Sequence, residues 1–510
     1  MEKNKGTILF FPFMAQGHII PFLTLAFKLE QKKYNIIFVN TPLNIKKLKS
    51  SLPLNSSISL LEIPFNSSQH GLPPNTENTD SLPYNLTLHF TTISSCLEPS
   101  FRNLVSNLIE KPLCIISDFF FGWSANIAHE FGIFHLIFSG ASGFGLACYY
   151  SMWLNLPHKK TRNFEFTMPD FQEAGNLEIS QLSPSLLAAD SNDPYTNFNW
   201  KNLTNWMNSD GIILNTVEEL DKLGLTYFRR KLKLPVWAIG PIPWPVSSKS
   251  RAGKETRDET EKCIKFLDEK EPKSVLYISF GSQSTISASQ MMELAKALDN
   301  ASGVNFIWVV RPPLGFDINM EFRAEEWLSE RFVQRVFDDQ NRGLIVPKWA
   351  PQVEILAHNS IGAFLTHCGW NSVLESLGNG VPLLGWPIAA EQFYNSKFLE
   401  QDVGVCVEVV RGNNSQVKYE NILEKIELVM GENDKGKEIR RKAIEVKEII
   451  GDAIIDNEDF KGSSIKAMED FLNAALSMKK MSNGGRIRQE DNMKKMSNGA
   501  RINGNMLKSQ

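Results

Sequence analysis

Six cysteines in 510 residues, at 96, 114, 148, 263, 368 and 406, leave the chain without a single C-x-x-C spacing. Cys114, Cys148 and Cys406 lie in apolar runs that suit core thiols, so a reducing, cytoplasmic compartment fits better than a disulfide framework. Six N-x-S/T triplets, at Asn55, Asn66, Asn85, Asn202, Asn300 and Asn413, would matter only in a secreted protein. An excess of one charge is missing too. With 54 Lys and Arg against 57 Asp and Glu the formal net charge is −3, which argues against a nucleic-acid partner. The run from Ile133 to Leu154 carries no Asp, Glu, Lys or Arg, but Ser139-Gly140-Ala141-Ser142-Gly143 divides it into a strand (IFHLIF) and a helix (GLACYYSMWL). No integral membrane segment is expected. The amino-terminal MEKNKGTILFFPFMA lacks a small-x-small cleavage site and runs on into a helix pattern, so it does not read as a signal peptide.

Several catalytic fingerprints are also absent. G-x-G-x-x-G does not occur; the nearest glycine cluster, Gly140-x-x-Gly143-x-Gly145, has the spacing reversed and follows a strand other than the first, which disfavours a dinucleotide oxidoreductase. Gly140 to Phe144 lacks the final glycine of G-x-S-x-G, and His129-Glu130 meets Ile133 where H-E-x-x-H needs a second histidine. No D-x-D triplet appears.

What is present is alternation. TILFFPF, NIIFVN, CIISDFFF, IFHLIF and GIILNT are separated by amphipathic stretches, the pattern of βαβ units on a parallel sheet. A Pro-, Ser-, Lys- and Glu-rich stretch, 241–262, reads as an interdomain linker. Beyond it SVLYISF, NFIWVV, GLIVP, IGAFLTH, PLLGW and VGVCVEV repeat the pattern. An α/β chain of two domains follows, 1–240 and 263–455, with a terminal helix over 456–478. In the tail 479–510, KKMSNGGRI recurs as KKMSNGARI, and eight Lys or Arg face two acids. Such composition suits a disordered segment.

From Trp349 to Gln392 the chain reads WAPQVEILAHNSIGAFLTHCGWNSVLESLGNGVPLLGWPIAAEQ. Trp349 follows a parallel strand, where ligands collect, and an indole there has a face for a flat base, although a Trp of this kind is more often core. After His367, GWNSVLESLGNG opens a helix whose first-turn N–H groups favour an anion, with Asn371 and Ser372 as added donors. Asn371 and Glu375, four apart, share a face. This box resembles, almost position for position, the sugar-nucleotide signature of plant secondary-product UDP-glycosyltransferases. The resemblance implies a GT-B fold, two facing Rossmann-like domains, with UDP-glucose as co-substrate and no metal. It assigns Trp349, Ala350 and Gln352 to the nucleoside, His367, Asn371, Ser372 and Ser282 to the phosphates, and Glu375 to the ribose. Glu391 and Gln392, with the backbone near Trp370, fall to the sugar, and a Gln at 392 resembles the glucose-using members. Taken singly, Ser282 also suits a simple turn, and Glu391 an ordinary helix start.

Transfer to a hydroxyl needs a base. His18, in GH-x-x-P after the first strand, matches the family's histidine, and Asp118, ending CIISD, matches its carboxylate partner. A helix opening at His18, with Pro21 in its first turn, would favour a neutral imidazole. The resemblance then implies single in-line displacement with inversion. The acceptor wall, placed by analogy, comprises Phe13, Met14, Tyr84, Phe119, Ser139, Phe144 and Leu187, apolar enough for a small lipophilic acceptor. Flavonoids and other phenolics lead, with triterpenoids and other terpenoids as the alternative. A non-catalytic UDP-sugar-binding protein would be favoured only if His18 or Asp118 were absent. A monomer is expected. The charged segment Pro312 to Arg342, longer than the family's usual connection, is expected to bear on cleft closure.

Overall fold

The computed structural model describes residues 5–242, 257–335, 342–412 and 415–480, with the backbone alone for Ser81, Tyr84, Asn85 and Arg257. In the first domain β1 (Thr7–Phe11), β2 (Asn35–Asn40), β3 (Ser59–Glu62), β4 (Cys114–Asp118) and β5 (Phe134–Ser139) come in turn. A two-stranded antiparallel excursion, β6 (Glu165–Thr167) and β7 (Asn176–Glu178), precedes β8 (Gly211–Leu214) and β9 (Val236–Ala238). The second domain contributes β10 (Val275–Ser279), β11 (Asn305–Val310), β12 (Gly343–Pro347), β13 (Ile361–Thr366), β14 (Leu383–Gly385) and β15 (Cys406–Glu408). Two parallel sheets result, ordered β3-β2-β1-β4-β5-β8-β9 and β12-β11-β10-β13-β14-β15. Central strands such as β1 and β10 are buried along nearly their whole length, because helices cover both faces; hence their unbroken apolar runs.

The strand orders determine where ligands can collect. In each sheet the sequence order reverses beside the first strand: β1 pairs with β2 on one side and β4 on the other, and β10 with β11 and β13. A crevice opens beyond the carboxyl ends at such a switch point. At these carboxyl ends Asp118 closes β4, His18 lies in the helix that follows β1, and Ser282 and His367 follow β10 and β13.

Behind the crevice the domains are fastened together. Phe144, on the helix Gly143–Asn155, stacks on Phe398 of the helix Gln392–Phe398 with centroids 4.8 Å apart. The buried Asn395 accepts from Ser142 Oγ at 2.6 Å and donates to the Cys368 carbonyl at 3.0 Å. The indole N–H of buried Trp370 donates to the Asn215 carbonyl at 3.0 Å. Trp370→Phe keeps an aromatic ring but deletes that bond and the pyrrole half of the buried indole, so unfolding free energy should fall by at least about 1–3 kcal/mol. A thermal melt checks this, and an unchanged midpoint would contradict it.

Three expectations change. The helix Arg257–Asp268 begins inside the stretch read as linker, because Cys263, Phe266 and Leu267 give it a buried face; 243–256 lie outside the described residues. No residue of 312–335 lines the cleft described below: Phe322, Trp327 and Phe332 join the core of the second domain, Phe332 stacked on Phe306. Residues 463–480 are helical and return to the first sheet through Met468, Phe471, Leu472 and Ala475. Lys479 and Lys480 therefore belong to a helix, while the repeat from Met481 onward lies outside the described residues. No helix among the described residues is long and apolar enough to cross a membrane. All six cysteines are free thiols.

Candidate active site

A cleft of about 340 Å³ lies between the two sets of carboxyl-end loops. On the first-domain side His18 is the third residue of the helix Gln16–Gln31, which begins two residues before His18 and leaves Pro21 inside the helix rather than in its first turn. Proline has no N–H to return to the carbonyl four residues back, and the Gly17 carbonyl instead accepts from Asn371 Nδ2 across the cleft, at 3.3 Å. His18 Nδ1 lies 2.8 Å from Asp118 Oδ2. The Asp118 carboxylate is fully buried at the end of β4 and accepts main-chain N–H groups from Phe13 and Phe120, both at 3.1 Å. With Nδ1 committed, Nε2 is the nitrogen left for the cleft that His18 lines. Phe119 and Phe120 stack on the imidazole at 5.4 and 5.5 Å, and Phe13 meets it edge-on at 5.3 Å. Asn202 and Trp206 both donate to the Phe119 carbonyl, so the buried Asn202 is a structural side chain rather than a glycan acceptor.

A helix start alone would lower the His18 pKa; here the geometry shifts it the other way. Burial pulls the His18 pKa down, but the Asp118 charge and hydrogen bond, with the Glu391 carboxylate, outweigh it and raise the pKa above the ordinary value of 6.5. A carboxylate at 2.8 Å acts more strongly than the partial charge of a helix end.

On the second-domain side the cleft is lined by Ser282, Trp349, Ala350, Gln352, His367, Trp370, Asn371, Ser372, Glu375, Glu391 and Gln392, every donor position expected from the sequence. Ser282 follows β10. Gln352 Nε2 donates to Ser372 Oγ at 3.0 Å and Glu375 Oε2 at 2.8 Å, joining the Trp349 loop to the helix Trp370–Leu377. Gly281 (φ +80°) and Gly369 press on the His367 ring; a Cβ on either would lie within 3 Å of it. Burial lowers the His367 pKa to about 4, so the ring is neutral near pH 7. Burial raises the Glu391 pKa, with His18 opposing the shift. Glu391 is the cap of the helix Gln392–Phe398, and Gln392 Oε1 accepts the N–H groups of Ile388 and Ala389. Three cleft residues carry buried polar atoms with no partner among the described residues: Gln16 Oε1, Arg311 Nε and His367 Nδ1. Their grouping in one cleft points to a polar ligand.

Of the expected acceptor wall, only Phe119 lines this cleft. Phe13 and Met14 are buried beneath it, and the Ser139 hydroxyl is turned inward to the Ala141 N–H. Phe144 faces the interdomain core because its helix presents that side to Phe398, and Leu187 is exposed at the end of the short helix Pro184–Leu187. Tyr84 opens the helix Tyr84–Ile93, and its side chain lies outside the described residues. The sequence reasoning missed Gln16, Phe120, Gln283, Arg311 and Lys348. Arg311 and Lys348 each follow a parallel strand, a signal that was available; nothing in type or spacing marks Gln16.

The family described as UDP-glucoronosyl and UDP-glucosyl transferase matches residues 249–440. UDP-glycosyltransferase 92A1 of Arabidopsis thaliana is 48% identical over 93% of this chain and 98% of its own length. Crocetin glucosyltransferase 3 of Crocus sativus is 42% identical over 85% and 92%. Among solved structures, Glycyrrhiza uralensis UGT73P12 complexed with glycyrrhetinic acid 3-O-monoglucuronide is similar with a TM-score of 0.81, at 26% identity, over 96% of this chain and 99% of that one. Two facing parallel sheets, and such identity across nearly the whole of a relative, carry one conclusion: the chain belongs to the plant family 1 UDP-glycosyltransferases, enzymes of the GT-B fold.

Proposed function

We propose that this enzyme transfers glucose from UDP-glucose, with inversion, to a hydroxyl or carboxyl of a small lipophilic plant metabolite, with flavonoids and other phenolics first. The observation that carries the proposal is the His18–Asp118 pair, 2.8 Å apart, facing the expected donor residues across one cleft. His18 Nε2 takes the acceptor proton as the acceptor oxygen bonds to the anomeric carbon. The bond from that carbon to the diphosphate oxygen breaks, and its electron pair leaves with UDP. Asp118 holds the tautomer with Nε2 unprotonated and stabilises the imidazolium that forms. Trp349, Ala350 and Gln352 would take the nucleoside, and Glu375 the ribose. His367, Asn371, Ser372 and Ser282, with the N–H groups that open the helix Trp370–Leu377, would take the diphosphate. Glu391 and Gln392, beside the Trp370 backbone, would take the sugar; bonded through Oε1 to its own loop, Gln392 has its NH2 end left to donate. No metal enters this scheme, in keeping with the lack of a D-x-D triplet.

The aromatic rings around His18 support a flat, uncharged acceptor. A terpenoid acceptor is the second possibility, favoured by the name of the 42%-identical crocetin glucosyltransferase and by the ligand of the Glycyrrhiza structure. Six free thiols support a cytoplasmic setting, and we expect a monomer. Incubation with UDP-glucose and a mixed aglycone panel, followed by mass spectrometry, should show a hexose increment, on phenolics first. Higher turnover with UDP-galactose or UDP-xylose on the best acceptor would overturn the sugar assignment.

A further inference from the structure

We infer that Arg311 is a positioning residue of the donor site, holding the Lys348–Trp349 turn so that the Trp349 indole presents its face to the nucleotide base. The inference rests on the donor reading proposed above. Arg311 directly follows β11, the strand beside β12, and lines the cleft. Its Nη2 donates to the Lys348 carbonyl at 2.7 Å, while the Lys348 N–H donates to the Val310 carbonyl at 2.9 Å. Lys348 is thus gripped at both ends of its backbone, one of them by a side chain. It needs the grip: its φ of +67° is a left-handed conformation that residues with a Cβ disfavour. The Trp349 N–H then closes onto the Pro347 carbonyl at 2.7 Å, completing the tight turn.

The rest of the guanidinium is not spent on structure. Its Nε has no partner among the described residues, and burial lowers its pKa while the charge of Asp80 opposes that shift. Gln283, which also lines the cleft, donates through Nε2 to Thr79 Oγ1 at 2.5 Å and Asp80 Oδ1 at 3.2 Å, a further contact between the two domains. A half-buried cation is costly unless a ligand or a strained turn repays it. Arg311 and Lys348 are the only Lys or Arg among the residues lining the cleft, and Lys348 is exposed.

The test uses the full chain with Arg311→Met and Arg311→Lys, UDP binding by calorimetry, and KM and kcat for donor and acceptor separately. Arg311→Met should weaken UDP binding and raise KM for UDP-glucose about ten- to hundredfold, the span of one charge-assisted hydrogen bond. Acceptor KM and kcat at saturating donor should stay within about threefold, since neither depends on the base platform. Arg311→Lys, which keeps the charge and one donor, should recover part of the loss; should the Met variant fail to fold, a rise in donor KM alone in the Lys variant carries the test. Wild-type protein that fails to bind UDP would overturn the donor site itself. Wild-type binding matched by a folded Arg311 variant, or a fall in kcat at unchanged donor KM, would overturn the role of Arg311 alone.

Discussion

His18→Ala should lose transfer by about a hundred- to ten-thousandfold in kcat, the usual worth of a positioned general base. UDP affinity should stay within about twofold, because every side chain assigned to the nucleotide lies on the second domain. The separation follows from the architecture: the base comes from the helix after β1, and the residues proposed to hold the leaving group follow β10, β12 and β13. Steady-state kinetics and calorimetry on one preparation measure both quantities. Near-normal turnover would remove His18 from the chemistry, and parallel loss of UDP binding would make it a structural residue.

Asp118→Asn should cost a comparable factor in rate and also move the pH profile. In the wild type, burial lowers the His18 pKa but Asp118 and Glu391 raise it further, to a value above 6.5. The base works only when unprotonated, so the acid limb of kcat/KM should lie above pH 6.5, with activity falling as the pH drops through it. Removing the Asp118 charge leaves burial less opposed, so the limb should shift toward lower pH while the plateau falls. The plateau falls because both carboxylate oxygens accept main-chain N–H groups, from Phe13 and Phe120, so the NH2 of an asparagine meets another donor in either orientation, and the neutral amide cannot stabilise the imidazolium that forms. Rates measured from pH 5 to 9 decide the matter; a limb that does not move, or moves upward, would contradict the electrostatic role of Asp118.

The sequence made the sheets legible wherever strands are buried on both faces, since β1, β4, β10 and β13 read as unbroken apolar runs. It concealed β3, whose SLLE is only half-buried at the sheet edge, and the β6–β7 hairpin, with one buried residue in each strand. The cleft-lining residues expected to meet the donor were legible because one segment carries nearly all of them at fixed intervals after two strands. The acceptor wall was not: whether Phe144 faces the cleft or the domain core depends on the phase of its helix and on Phe398, some 250 residues away in sequence. Gln16 became visible only once the fold left its Oε1 unpaired in the cleft, whereas Arg311 could have been found from its place directly after a parallel strand. The direction of the His18 pKa shift was hidden for a similar reason. A helix start can be read from sequence, whereas a carboxylate 2.8 Å from Nδ1 brings together residues a hundred positions apart.

The central claim is a single displacement driven by the His18–Asp118 pair on a sugar held from the opposite domain, and the anomeric configuration of the product tests it most directly. With UDP-α-glucose as donor, proton NMR of the purified glucoside should show the β-anomer alone. An α-glucoside would require a second displacement or front-side attack, and would contradict the account.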